Sequence, residues 1–136
     1  METQSATTVS IASALGLFLI AKGTGQALAS ERWRDFAREL DRQPGLLYAL
    51  GMFAFLVGTL TLMAHRHWSD PLAIVVTGFG WTALVEGVLL IAVPEQVVSY
   101  VQPFAQTGFV RARALLTALV GLLVLIASLT ARVVPV

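Results

Sequence analysis

The chain has 136 residues, of which 57% are hydrophobic and only 12% are charged, and its formal net charge is +1. About a quarter of the residues of a soluble domain are charged, so this composition leaves too little polar surface to cover a water-soluble globule. The small net charge and the lack of a basic cluster argue against a nucleic-acid partner. The absence of cysteine excludes disulfides, iron–sulfur clusters and cysteine-ligated zinc.

Four continuously apolar stretches are each long enough, or nearly so, to cross a hydrocarbon core of about 30 Å as a helix. They cover residues 9–29, 46–64, 72–93 and 114–131. The segment before the first stretch has no Lys or Arg, so we expect this stretch to be retained rather than cleaved as a signal peptide. The predicted fold is an all-α integral membrane protein, with a single four-span domain over residues 1–136.

A charged segment between the first two spans is predicted to form an amphipathic helix in the membrane interface. Its apolar side chains lie at the spacing of one helical face: they are Trp33, Phe36, Ala37 and Leu40. Every other position in residues 31–42 is charged. Ser30 is suited to cap this helix, and the proline at position 44 is suited to end it. A solvated loop of mixed charge is the alternative.

The first half of the sequence recurs in the second half at a shift of 64 residues, which falls to 63 in the second span of each half. The matched positions include Gly16 with Gly80, Lys22 with Glu86, Gly23 with Gly87, Gly58 with Gly121, and the interfacial apolar face with Val97, Tyr100, Val101 and Phe104. We therefore predict two parallel repeats, over about 9–66 and 72–132, each made of span, interfacial helix and span. Chance similarity between two apolar segments is the alternative.

The second interfacial helix is predicted to begin at Pro94, and Pro103 is predicted to shorten or kink it. Aromatic and leucine side chains on the two interfacial helices are the predicted anchors in the lipid headgroups: Trp33, Phe36, Leu40, Tyr100 and Phe104. The bilayer is therefore the first predicted partner of the chain.

Lys22 and Glu86 are charged residues inside the first and third spans. Each lies eight residues before the first residue beyond its predicted span, at a depth of about 12 Å, where a charge costs roughly 2.5–3.5 kcal/mol. Because the repeat makes the two positions equivalent, we expect a direct ion pair where the first and third spans meet. Two alternatives stay open. One is an ionisable site for proton relay or substrate contact; the other is Lys22 snorkelling to the interface with Glu86 protonated or paired elsewhere.

Small residues near these charges predict close contact between helices. The predicted packing positions are Gly16, Gly23, Gly25, Gly80 and Gly87. The glycines of the uncharged second and fourth spans are expected to face lipid and to support contacts between copies: they are Gly51, Gly58 and Gly121.

No residues form a recognisable catalytic or nucleotide-binding motif, so we predict no catalytic residue and no cofactor. His65, His67 and Asp70 are weak candidates for a metal site. Two histidines two positions apart point to opposite sides of a helix. We therefore interpret this segment as a polar cap on the second span.

Arginine is concentrated in two short segments, residues 30–45 and 94–113, which hold six arginines against two on the opposite side. This bias predicts that both segments are cytoplasmic in a bacterial inner membrane and that both termini lie outside. The predicted function is that of a non-enzymatic accessory or scaffolding subunit, or of a self-assembling component, as a homo-oligomer or within a larger complex. The alternative is a small proton- or ion-coupled transporter or channel that works through Lys22 and Glu86.

Overall fold

A computed structural model describes residues 2–65, 68, 71–105 and 109–133. These residues form six α-helices and no β-strand. The helices are α1 Glu2–Leu28, α2 Ser30–Arg42, α3 Pro44–Ala64, α4 Pro71–Ala92, α5 Pro94–Ala105 and α6 Phe109–Val133. Four of them, α1, α3, α4 and α6, are long and apolar enough to cross a membrane. The predicted all-helical class and the four candidate spans are therefore confirmed.

Three of the helices begin at a proline. They are α3, α4 and α5, and the N–H that proline lacks would have no intrahelical acceptor in a first turn. Single residues, Gln43 and Val93, separate α2 from α3 and α4 from α5. Pro103 lies inside α5, which ends two residues later. The predicted cap was wrong: Ala29 holds the N-cap position of α2 without a side-chain hydrogen bond, and Ser30 is a buried first helical residue.

The long helices pack as two antiparallel pairs, α1 with α6 and α3 with α4, and the pairs meet through a smaller contact between α1 and α4. The beginnings of α1 and α4 and the ends of α3 and α6 share one end of the bundle, which we call the terminal end. The short helices α2 and α5 contact each other at the opposite end, where Gln102 Nε2 donates a hydrogen bond of 3.0 Å to Asp41 Oδ2.

Glycine allows backbone to touch backbone in both pairs. In the α1–α6 pair, a Cβ placed on Gly16 would come within 2.9 Å of Gly121 O. In the α3–α4 pair, a Cβ on Gly58 would lie 2.8 Å from Gly80 O. The prediction that Gly51, Gly58 and Gly121 face lipid was therefore wrong, since the partner helix within the chain covers all three.

Of the remaining glycines predicted to pack, three lie in the contacts of the two helix pairs and one does not. Gly23 packs against α6, and Gly80 and Gly87 pack against α3. Gly25 was predicted to pack as well, but a Cβ there would meet no atom within 4 Å. Gly25 lies on the outward face of α1, about 160° around the helix from Gly23, so it takes no part in the α1–α6 contact.

Two buried apolar clusters hold the ends of the bundle together. Near the terminal end, Ala12, Val76 and Val124 join α1, α4 and α6. Near the opposite end, Leu47, Leu90 and Val98 form a second cluster, and the half-buried Leu40 and Val97 pack against it. This second cluster contains residues of α2, α3, α4 and α5, so it fixes the two short helices onto the long ones.

Candidate functional site

Lys22 and Glu86 occupy corresponding places on α1 and α4. Each lies six residues before the last residue of its helix, which is about 9 Å along the axis. Both side chains are exposed on the surface of the bundle. The single ion pair within the described residues joins Arg38 and Asp35 on α2, at 3.4 Å. The direct Lys22–Glu86 ion pair expected from the sequence is therefore not formed within this chain.

The glycine that follows each charge explains why the two side chains stay apart. Gly23 packs into α6, and Gly87 packs into α3. Consecutive helical residues are about 100° apart around the axis, so each charge lies beside the packed face rather than in it. The buried contact between α1 and α4 involves Ala12 and Val76, ten residues before the respective charges. Lys22 and Glu86 thus flank two different helix pairs.

Several polar side chains lie buried or half-buried at the terminal end, and of these only His65 was singled out from the sequence. Thr8 Oγ1 lies 3.4 Å from His65 Nε2, and the Ser13 and Ser128 hydroxyl oxygens are 2.9 Å apart. His65 is 4% exposed and Thr77, on α4, is 1% exposed. These hydrogen bonds join α1 to α6 and to the residue that follows α3. His65 is the C-cap residue of α3, in line with its interpretation as part of a polar cap, but its side chain is buried.

One sequence signal pointed to these contacts. Thr8, Ser13, Thr77 and Ser128 lie within otherwise apolar helices, where Ser and Thr commonly bond across helix contacts. The partner of each side chain was not predictable. Pairing Ser13 with Ser128, for example, depends on the packing of α1 against α6. The proposed metal group stays a weak candidate: His67 and Asp70 lie outside the described residues, and within those residues no three His, Cys, Asp or Glu side chains are grouped to hold a metal ion.

The predicted interfacial anchors differ in exposure. Trp33 and Phe36 contact each other edge to face on α2, with ring centroids 5.6 Å apart. Tyr100 on α5 is 79% exposed, whereas Leu40 is half-buried and packs against the cluster of Leu47, Leu90 and Val98. The side chain of Phe104 lies outside the described part of the chain. Phe36 and Tyr100 are therefore exposed, whereas Trp33 and Leu40 are half-buried.

A cavity of about 360 Å³ opens between α3 and α4 towards the terminal end. Its lining is mostly apolar and includes Trp68 and Trp81. Thr59 also lines it, and its Oγ1 is buried with no hydrogen-bond partner. Other helical threonines, such as Thr61 and Thr82, donate to the carbonyl four residues earlier. Thr59 is thus a local cost to stability.

We expect Thr59→Val to raise the free energy of unfolding by about 1 kcal/mol, because it replaces an unsatisfied buried hydroxyl with a methyl group of similar size. Thr61→Val is the matched control. Its hydroxyl donates to Val57 O at 2.7 Å, so we expect it to lose about 0.5–1.5 kcal/mol. Unfolding of the purified protein in mixed micelles measures both. A loss of stability in Thr59→Val would show that the hydroxyl has a partner.

Lys22 and Glu86 place an exposed ammonium group on α1 and an exposed carboxylate group on α4, within otherwise apolar surfaces. Each group attracts an opposite charge, and each strongly favours a paired state when water is excluded.

No family model matches the chain, and neither a curated protein nor a solved structure is significantly similar to it.

Proposed function

We propose that this chain is a non-enzymatic component of a bacterial inner membrane, either an accessory or scaffolding subunit or a unit that assembles with itself. The observation that carries the proposal is the exposure of Lys22 and Glu86 on the candidate spans, where neither forms an ion pair with any residue that the structure describes. Each charge costs roughly 2.5–3.5 kcal/mol within lipid. A neighbouring protein that pairs with these groups would offset that cost.

The surface of the long helices supports insertion in a bilayer. Large apolar side chains are exposed on all four of them, including Phe18, Phe53, Trp81 and Leu123. In water, such a continuous apolar surface would drive aggregation. In lipid it is well solvated, and the helices satisfy their own backbone hydrogen bonds. On this proposal α2 and α5 lie at the cytoplasmic interface and both termini lie outside, as the arginine bias favours.

We also propose that the chain is an internal duplication with a pseudo-twofold axis along the membrane normal. Two glycine contacts support it. Gly23 meets Ala114 and Ala118, and Gly87 meets Gly51 and Phe55. Gly87 lies 64 residues after Gly23, and Ala114 and Ala118 lie 63 residues after Gly51 and Phe55. The two contacts therefore join equivalent residues of the two repeats.

Two further correspondences support the same duplication. The backbone hydrogen bonds Ala29 N to Gly25 O and Val93 N to Leu89 O match at a shift of 64. Ala12 and Val76, equivalent at this shift, belong to one buried cluster, as residues on the axis would.

Gentle extraction from the native membrane tests the proposed function. The mass and protein composition of the extracted particle are measured without denaturation. We expect several copies of the chain, or a stoichiometric protein partner. Extraction of single copies, free of other protein under conditions that preserve known membrane complexes, would contradict an assembly role.

The second candidate function is a small proton- or ion-coupled transporter. The observation that favours it is the exposed carboxyl group of Glu86 inside a candidate span, which forms no ion pair among the described residues. The test is pH-driven flux into liposomes that contain the purified chain. Flux that is lost in Glu86→Gln but retained in Glu95→Gln, a control on α5, would favour the transporter. Under the leading proposal, flux stays at the level of empty liposomes.

A further inference from the structure

We propose that two copies of the chain dock side by side in the bilayer so that Lys22 of one copy pairs with Glu86 of the other. This inference rests on the proposed function and names its partner as a second copy of the same chain. The two docking surfaces are the outward face of α1 around Lys22 and the outward face of α4 around Glu86.

The depths of the two charges match. Lys22 and Glu86 each lie six residues before the end of their helix, and both helices run from the terminal end towards the α2–α5 end. Copies inserted with the same orientation therefore hold both groups at one level in the bilayer. Pairing between copies brings opposite charges together there, whereas a contact of Lys22 with Lys22 would place like charges in a medium of low dielectric constant.

The residues around the charges are complementary in size as well. One turn before each charge, Phe18 on α1 corresponds to Thr82 on α4; three residues after it, Gly25 corresponds to Leu89. When α1 of one copy lies parallel to α4 of another, Phe18 therefore faces a small residue and Leu89 faces a glycine. Phe18 and Leu89 are 54% and 43% exposed.

The open glycine is an independent observation that points to the same surface. At the α1–α6 and α3–α4 contacts, the partner helix occupies the space beside each glycine. By contrast, a Cβ on Gly25 would meet no atom within 4 Å. A glycine in a helix interior costs roughly 0.5–1 kcal/mol relative to alanine. At this position the docked Leu89 of a second copy would use the space that Gly25 leaves.

Energy transfer between donor- and acceptor-labelled copies of the full chain tests the pairing. The labelled chains are reconstituted into phosphatidylcholine liposomes and diluted with lipid. We expect the wild type to self-associate. Lys22→Glu alone and Glu86→Lys alone should each require about tenfold more protein per lipid for the same transfer. A mixture of these two variants should restore transfer, because every contact between unlike copies then joins a Lys to a Glu.

The mixture separates pairing between copies from pairing within one chain. If the double variant Lys22→Glu with Glu86→Lys recovers wild-type behaviour but the mixture does not, the ion pair is intramolecular and the proposal is wrong. If wild type and both single variants associate equally, the charges take no part and the proposal is also wrong. Helix content and melting temperature are measured for each variant, so that misfolded protein is recognised.

A variant that leaves the charges intact provides a second test. Gly25→Leu fills the open space on α1 and should weaken transfer about tenfold while the fold is kept. Gly45→Leu is the control, since a Cβ there also meets no atom within 4 Å but it lies at the start of α3. Transfer unchanged by Gly25→Leu would overturn the docking surface. If the wild type is monomeric in liposomes, self-pairing is wrong; a foreign stoichiometric partner in the native extract would still support the proposed function.

Discussion

Gly87→Ala and Gly23→Ala are each expected to lower the free energy of unfolding by about 3 kcal/mol, the upper part of the usual range for overpacking a tight contact. A Cβ on Gly87 would collide with the backbone of Phe55 and come within 2.8 Å of Gly51 O. A Cβ on Gly23 would collide with Ala118 and lie 2.6 Å from Ala114 O. Backbone atoms cannot rotate away as a flexible side chain can, so the paired helices must separate.

Glycine-to-alanine changes at open positions provide the matched control. Gly25→Ala and Gly78→Ala add the same methyl group where no atom lies within 4 Å. They should raise the free energy of unfolding by about 0.5–1 kcal/mol, because alanine is the better helix former. Unfolding in mixed micelles at increasing SDS fraction, followed by circular dichroism, measures all four. Equal effects at packed and open positions would contradict the helix pairing described above.

The candidate spans were predictable because each depends on a local property. A run of about 20 apolar residues predicts a long helix whatever it packs against. Pro94 likewise marks a helix start through its own covalent structure. Pro44, which was predicted to end α2, is also the first residue of α3. The start of the fourth span was less predictable. α6 begins at Phe109, five residues before the predicted 114, because Arg111 and Arg113 are compatible with a helix but lower the hydropathy that defined the span.

The pairing of the helices was not predictable, because all four long helices carry glycines. The sequence predicts that small residues promote contact but does not state which helix is the partner. We expected α1 and α4 to meet near Lys22 and Glu86, with Gly51, Gly58 and Gly121 in lipid. Instead, glycines on both sides of each contact allow the backbones of α1 and α6, and of α3 and α4, to touch.

This pairing decides where the charges point. Because Gly23 and Gly87 face partners within the chain, the adjacent charged side chains are turned outward. The expectation of an ion pair used the equivalence of Lys22 and Glu86, which a shift of 64 gives directly. The equivalence does not specify how each helix is rotated about its own axis, because the packed contact with the partner helix sets that rotation. The same missing information hid the bond between Ser13 and Ser128.

Leu90→Ala is expected to lower the free energy of unfolding by about 2–4 kcal/mol, because a cavity would open where Leu47 and Val98 meet Leu90. The effect should extend to α2 and α5, since Leu40 and Val97 pack against the same cluster. We therefore expect faster amide hydrogen exchange in residues 94–105 as well. The matched control is Leu60→Ala, whose side chain is 63% exposed and whose loss should change stability by less than about 0.5 kcal/mol. Unchanged exchange in α5 would show that α5 stays docked without this cluster.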